Sequence, residues 1–229
     1  MLVVTAHPDD VDFGAAGTVA TWTDRGIEVV YCIVTDGDAG GFDPTIPRTA
    51  IAAIRRDEQT AAAKAVGVER LVFLGHPDGR LLPSLEVRRD ISRVIRQVRP
   101  QRVLCQCPQR NFSRIYASHP DHLAAGEATL CAVYPDARNP FTFTELLDEG
   151  LDAWTVHDVW MMGGPKPLHP VDITDHLDRK IAALLCHESQ HPDPAQMEAR
   201  VRAWGTVQAE QFGLGPDRAA ESFQVIDTR

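Results

Sequence analysis

With 229 residues, the chain is long enough for a sizeable core and lies within the roughly 200–250 residues that one domain can reach. Hydrophobic residues at 44 % and charged residues at 24 % are globular proportions, and a net charge of −9 excludes the basic footprint of a nucleic-acid or anionic-membrane binder. Five cysteines, odd in number and without C-x-x-C spacing, argue against disulfides and a cysteine-type zinc site, and for buried thiols in a reducing cytoplasm.

The first element is an apolar strand from Leu2 that ends in Ala6-His7-Pro8-Asp9-Asp10. No charged leader precedes an apolar stretch and no run reaches the ~18 residues of a membrane span, so a cytoplasmic protein is expected. A turn then leads into a helix to about Arg25, stopped by Gly26. Glu28 to Thr35 has the Val/Ile-rich texture of a strand buried on both faces. A glycine-rich loop from Asp36 to Gly41 runs irregularly to Thr49, and Ile51 to Val66 is helical, ending at Gly67. There follow a strand (Arg70 to Leu74), an amphipathic helix (Leu85 to Val98) closed by Pro100, and a strand (Arg102 to Gln106). A polar loop, Cys107 to Asp121, leads to a helix from His122 to Val133, and Tyr134 to Pro140 is a loop. The remainder is less regular: strands at Val156–Met162 and Ser222–Ile226, helices at Thr174–His187 and Pro194–Phe212. Trp154, Trp160, Met161 and Met162 suit a core or an oligomer contact.

Short apolar strands alternating with helices predict right-handed βαβ crossovers. The expected fold class is therefore α/β: a single Rossmann-like domain over residues 1–229, with a mostly parallel sheet and helices on both faces.

Two adjacent acids at a strand's end repel unless a cation lies between them or one keeps its proton. A metal is the usual remedy, and Asp and His both ligate metals. Ser118-His119-Pro120-Asp121-His122 follows the fourth strand, which in doubly wound sheets lies beside the first where the winding reverses, and ligands bind there. His7 and Asp10 are thus expected to meet His119 and His122 in one crevice. His-Pro-Asp also begins at His76 and His191, but the first is followed only by the turn Asp78-Gly79-Arg80 and the second lies in a polar loop, so both are set aside. Arg55 with Glu58 is read as a helix ion pair unless that helix faces the crevice, and His187 either as a pocket residue or as a helix C-terminal cation.

Ala6-His7-Pro8-Asp9-Asp10 with His119-Pro120-Asp121-His122 resembles the LmbE-like, or PIG-L, family of zinc-dependent N-acetylglucosaminide deacetylases. Weaker likenesses run along the chain: Thr35-Asp36-Gly37, Arg55-x-x-Glu58, Asp78-Gly79, His187-x-Ser189-Gln190 and Glu221-Ser222-Phe223. Two departures concern loop shape: Val11 stands where many members have Glu, with Asp12 approximating it, and Ala16-Gly17 replaces a glycine pair.

The resemblance implies a Rossmann-like fold, metal ligands His7, Asp10 and His122, and a zinc-activated water that attacks an amide carbonyl with Asp9 as general base. It implies that protonated His119 holds the oxyanion, that Asp121 keeps His119 charged and oriented, and that Arg55 meets substrate. The Asp36–Gly41 loop, by its place after strand two and beside strand one, reads either as a plain turn or as a pocket wall that brings Asp36 to substrate. The implied substrate is a small amino-sugar glycoside or conjugate, with acceptor selectivity expected in Gly40–Thr49, Cys107–Ser118 and Tyr134–Gly164. The resemblance leaves open whether the cell loads Zn²⁺ or Fe²⁺, whether Asp9 or His119 protonates the leaving amine, and whether the chain is a homo-oligomer. Two other readings stand beside it: an amidase on a thiol–sugar conjugate, and a non-haem Fe(II) oxygenase, which two histidines and a carboxylate also describe.

Overall fold

The computed structural model covers residues 1–229. One seven-stranded sheet carries β1 (Leu2–Thr5), β2 (Val30–Thr35), β3 (Arg70–His76), β4 (Arg102–Gln106), β5 (Asp158–Met162), β6 (His169–Asp172) and β7 (Ala220–Asp227) in the order β3-β2-β1-β4-β5-β7-β6. The five strands from β3 to β5 are parallel. β7 runs antiparallel to both β5 and β6. β1 sits between β2 and β4, with Leu2 opposite Val30 on one side and Val103 on the other. That is the reversal point, and the carboxyl ends of β1 and β4 open there together.

Side chains of β1 and β2 alternate between two cores, as a period of two dictates. Leu2, Val4, Val30 and Cys32 pack with Val87, Ile91 and Ile95 of α3 (Leu85–Val98) and with Ala124 and Ala128 of α4 (Pro120–Cys131). Val3, Tyr31 and Ile33 face the other way, towards Ala15 and Val19 of α1 (Asp10–Asp24), Ala62 of α2 (Arg48–Ala65) and Ala183 on the helix Leu177–Leu185. Both faces are covered, which is why these strands read as unbroken apolar runs.

Three differences from the sequence expectation have local causes. α1 starts at Asp10, because the turn is confined to Pro8 and Asp9, where Asp9 makes the bend with φ 85°. α4 starts at Pro120, just before His122, since proline suits a first helical position and the His119 ring accepts the Asp121 N–H as a cap. β6 and the short helix α5 (Glu145–Asp148) were not foreseen; β6 is an edge strand of four residues containing Pro170. The helix Leu177–Leu185 is α6, and Pro194–Gln211 is α7. No helix is long and apolar enough to cross a membrane.

A buried ion pair joins α1, α6 and β7. Lys180 Nζ donates to Glu221 Oε1 and to the Phe13 carbonyl, both at 2.6 Å, and Glu221 also accepts the N–H groups of Gly17 (3.0 Å) and Thr18 (2.8 Å). Both side chains are 4 % exposed. Lys180→Met leaves the Glu221 charge uncompensated, so a loss of about 3–5 kcal/mol is expected in urea unfolding. A loss under about 1 kcal/mol would show that the backbone donors alone suffice.

Candidate active site

Asp10 is the centre of the contacts at the ends of β1 and β4. Its Oδ2 accepts the His7 N–H (2.6 Å) and the Gln106 side-chain amide (2.9 Å), and lies 3.2 Å from His7 Nδ1. Its Oδ1 lies 2.9 Å from His122 Nε2. Gln106 ends β4 and accepts the Ala6 N–H at 2.9 Å, so one side chain clamps the two strand ends. Gly126, one turn beyond His122, lets α4 approach: a Cβ there would overlap the Gln106 carbonyl.

The far side of the His7 ring is equally constrained. Nε2 lies 3.0 Å from Asp78 Oδ1 and 3.3 Å from Asp121 Oδ2. Burial opposes a charged His7, but Asp10, Asp121 and Asp78 outweigh it and push its pKa up to about 12. Three carboxylates facing one ring favour positive charge at this point of the crevice.

A divalent metal fits that demand. A tetrahedral ion with bonds of about 2.0–2.2 Å spaces its donors roughly 3.3–3.6 Å apart. His7 Nδ1 lies 3.2 Å from Asp10 Oδ2 and His122 Nε2 lies 2.9 Å from Asp10 Oδ1, both a few tenths of an ångström inside that spacing. The Nε2–H of His7 then points at Asp78 and Asp121, the carboxylate–histidine arrangement that fixes the tautomer of a ligand histidine. Donor nitrogens of His7, His119 and His122 also lie within 4.8 Å of one another.

Asp9 is held apart from this set by its backbone. A φ of 85° is uncommon for a non-glycine residue and costs of order 1–3 kcal/mol, which persists where surrounding contacts enforce it. Here the Asp9 N–H donates to Gln59 Oε1 (2.8 Å) and its carboxylate accepts from Arg55 Nη2 (3.1 Å). Arg55 Nη2 also donates to the Pro8 carbonyl (2.5 Å), and Nη1 to the Gly37 carbonyl (3.1 Å). Gly37 has φ 61°, and a Cβ there would come within 2.6 Å of Arg55 Nη1, so the glycine loop after β2 serves as the seat of this guanidinium. Burial pushes the Asp9 carboxyl up, Arg55 draws it down and Asp10 pushes it up again, leaving it at about 6.

Several sequence expectations shift. Arg55, expected to meet substrate, has a side chain only 5 % exposed and spends its contacts on Asp9, Pro8 and Gly37. Asp36 is not brought into the crevice: its carboxylate pairs with Arg56 at 3.1 Å, because β2 ends one residue earlier and its side chain turns towards α2. Asp121 does not orient His119. Its carboxylate faces His7 and accepts the N–H groups of Gly79 (2.7 Å) and Leu81 (3.2 Å), since α4 turns it inward beneath the loop after β3. His119 is not held protonated either. Nδ1 accepts the Asp121 N–H at 3.2 Å, and burial together with the neighbouring His7 and His122 lowers its pKa. A neutral imidazole at a helix N-terminus keeps its proton on Nε2 and acts as a donor.

Sequence reasoning missed Gln106 and Gln59, and gave Asp78 no role beyond a weak likeness. Asp78 carried a signal, since it too follows a parallel strand's carboxyl end, but the turn around it masked that. His76 pairs instead with Asp90 at 3.3 Å, and His191 packs edge-on to Phe13. His187 is fully buried, its Nε2 2.9 Å from Asp12 Oδ2, and the Asp12 hydrogen bond and charge raise its pKa against the effect of burial.

A cavity of about 800 Å³ opens beside Asp10 and His122. The loop residues Asn111, Ser113, Arg114 and Tyr116 form one wall, inside a stretch expected to set selectivity. The adjoining wall was unforeseen: one face of α7 presents Arg200, Trp204 and Gln208. The Arg114 guanidinium stacks on Trp204, 3.7 Å from the ring centroid.

The family model for PIG-L, described as GlcNAc-PI de-N-acetylase, matches residues 2–133, which span β1 to the end of α4. The chain belongs to the PIG-L family. It is 36 % identical to a diacetylchitobiose deacetylase of Thermococcus kodakarensis over 193 residues, 84 % of this chain and 70 % of that one. A probable N-acetyl-alpha-D-glucosaminyl L-malate deacetylase 2 of Bacillus cereus is 30 % identical, covering 93 % of this chain and 96 % of its own. Among solved structures, N,N'-diacetylchitobiose deacetylase of Pyrococcus horikoshii superposes with TM-score 0.90 at 32 % identity, over 98 % of this chain and 82 % of the other. The PIG-L match ends near residue 133, so α7 and its Trp204 lie outside it.

Proposed function

We propose that this PIG-L protein is a hydrolase that removes the acetyl group from the amide of an N-acetylglucosamine-containing small molecule, using a divalent metal, zinc in this reading, held by His7, Asp10 and His122. The observation that carries the reading is the division of labour at one turn: Asp10 bridges two histidine nitrogens, while the left-handed backbone at Asp9 keeps the neighbouring carboxylate with Arg55. Zinc so held would supply a Lewis acid that lowers the pKa of a water towards ~7 and polarises the amide carbonyl.

The chain's own groups do the rest. Asp9 takes the proton as water oxygen bonds to the carbonyl carbon. Arg55 fixes the carboxylate's direction. The Nε2–H of His119 donates to the oxygen on which negative charge develops. When the C–N bond breaks, Asp9 returns its proton to the amine, a task a neutral His119 is poorly placed to share. Acetate and the free amino sugar leave. The cavity receives the remainder of the substrate, and the five unpaired cysteines suit work in the cytoplasm.

A free-amine assay over a panel of N-acetylglucosaminides tests this, with metal content measured on the same sample. The panel should span the monosaccharide, a disaccharide, a glycosyl organic acid and a thiol–sugar conjugate. Absence of acetate release from every member by the metal-loaded protein would sink the reading. If the cavity seats the acceptor, Trp204→Ala should raise KM for the preferred extended substrate by roughly tenfold, about 1.4 kcal/mol, and change that for the monosaccharide little. Equal KM values for wild type and variant across the panel would remove the cavity from acceptor binding.

A further inference from the structure

Asp12, Gln59 and His187 touch neither the metal ligands nor the cavity, yet they form one buried chain of hydrogen bonds that ends on Asp9. His187 Nε2 lies 2.9 Å from Asp12 Oδ2, Gln59 Nε2 donates to the same oxygen at 2.9 Å, and Gln59 Oε1 accepts the Asp9 N–H at 2.8 Å. Asp12, Gln59 and His187 are each fully buried. The other Asp12 oxygen has no partner, so both donors are needed where they are.

The direction of this chain is dictated by chemistry. A side-chain amide offers a donor at one end and an acceptor at the other, and nothing about its shape decides which faces where. Asp12 decides it: a carboxylate only accepts, so the Gln59 NH₂ must turn to it and the carbonyl must turn to Asp9. The Asp9 N–H receives an acceptor in the one conformation, φ 85°, that also aims its carboxylate at Arg55. Arg55 and Gln59 lie one turn apart on α2. Glu58 between them accepts the N–H and hydroxyl of Ser189, each at 2.7 Å, and so ties the segment that carries His187 to the same helix.

We infer that His187, acting through Asp12 and Gln59, is a positioning residue for Asp9, and that these three side chains hold the general base in its left-handed turn. The inference rests on the reading of Asp9 as the base. It also gives the Arg55-x-x-Glu58 and His187-x-Ser189-Gln190 patterns one shared purpose, since both are stitched to α2 behind the catalytic turn.

An exchange of polarity tests it. Gln59→Glu sets two carboxylates against each other, and Asp12→Asn frees the Gln59 amide to turn over; each should lower kcat by roughly ten- to a hundredfold with KM and metal content kept. In the double variant Asp12→Asn/Gln59→Glu, the amide nitrogen introduced in place of Asp12 Oδ2 donates one N–H to His187 Nε2, in its Nδ1–H tautomer, and the other to the carboxylate introduced at position 59. That new carboxylate in turn accepts the Asp9 N–H. The kcat of the double variant should return to within about threefold of wild type, a recovery that mere loss of stability does not produce. A second pair leaves Gln59 intact: His187→Gln, which keeps a donor for Asp12, should stay within about threefold of wild type, and His187→Leu should fall by at least about tenfold. A double variant no faster than the slower single, or a folded His187→Leu with wild-type kcat, overturns the inference. Asp9→Asn in the same assay separates the two levels. If it is inactive while the Gln59 and His187 series is unaffected, only the positioning role fails; if Asp9→Asn itself turns over normally, the base assignment fails first.

Discussion

Asp9→Asn is expected to bind its metal in full and to lose roughly 10²–10⁴-fold in kcat. The substitution is close to isosteric, and asparagine tolerates the left-handed region better than most residues, so the φ of 85° survives. The backbone N–H still reaches Gln59, and the amide oxygen still accepts from Arg55. What is removed is the capacity to take a proton from water and return it to the amine. Wild-type Asp9 stands at about 6, a proton acceptor matched to neutral solution, because burial lifts it and Arg55 limits the lift. Acetate release and metal content measured on one preparation decide the matter. Turnover near the wild-type rate would remove Asp9 from the chemistry, and loss of the metal would make it a ligand.

How far the sequence foresaw this site follows from what kind of contact each residue makes. His7, Asp10 and His122 were legible because a parallel sheet brings the residues after its first and fourth strands together, whatever lies between them in the chain. Apolar strand runs and amphipathic helices made the α/β fold equally legible, and the sheet order β3-β2-β1-β4-β5 agrees with it. Gln59 and Gln106 were not legible: each is a lone polar residue that reaches atoms on other elements, and no spacing announces that. Asp78 was legible only within the weak Asp78-Gly79 likeness, without the His7 contact that gives it a role. Asp121 shows the same limit from the other side: its motif was recognised, but its carboxylate serves His7 and two loop N–H groups, a choice made by the loop after β3. The resemblance implied a charged His119 held so by Asp121, whereas the cap that His119 makes on α4 settles its tautomer. The α7 wall escaped because Arg200, Trp204 and Gln208 look like an ordinary mixed helix face until a cavity is seen beneath them.

His122→Ala is expected to cost more metal affinity than any substitution behind the ligands, and the comparison is what makes the assignment testable. The residue lies in the first turn of α4, where alanine preserves the helix, and its ring makes one strong contact, to Asp10. Its removal therefore deletes a donor with little other damage. Asp10→Ala is a harsher change, since Asp10 also accepts from the His7 N–H and from Gln106 and closes the turn itself. Asp78→Asn supplies the calibration: Asp78 lies behind His7 at 3.0 Å, and losing such an outer partner typically costs about 10–100-fold in affinity. Chelator competition on the three proteins should then rank Asp78→Asn as the mildest and place His122→Ala beyond that range. Stoichiometric binding by His122→Ala as tight as wild type would refute the ligand set. A His119→Ala variant that lost more metal than His122→Ala would point instead to the three histidine nitrogens that already lie within 4.8 Å of one another, and would make His119 a ligand in place of a proton donor.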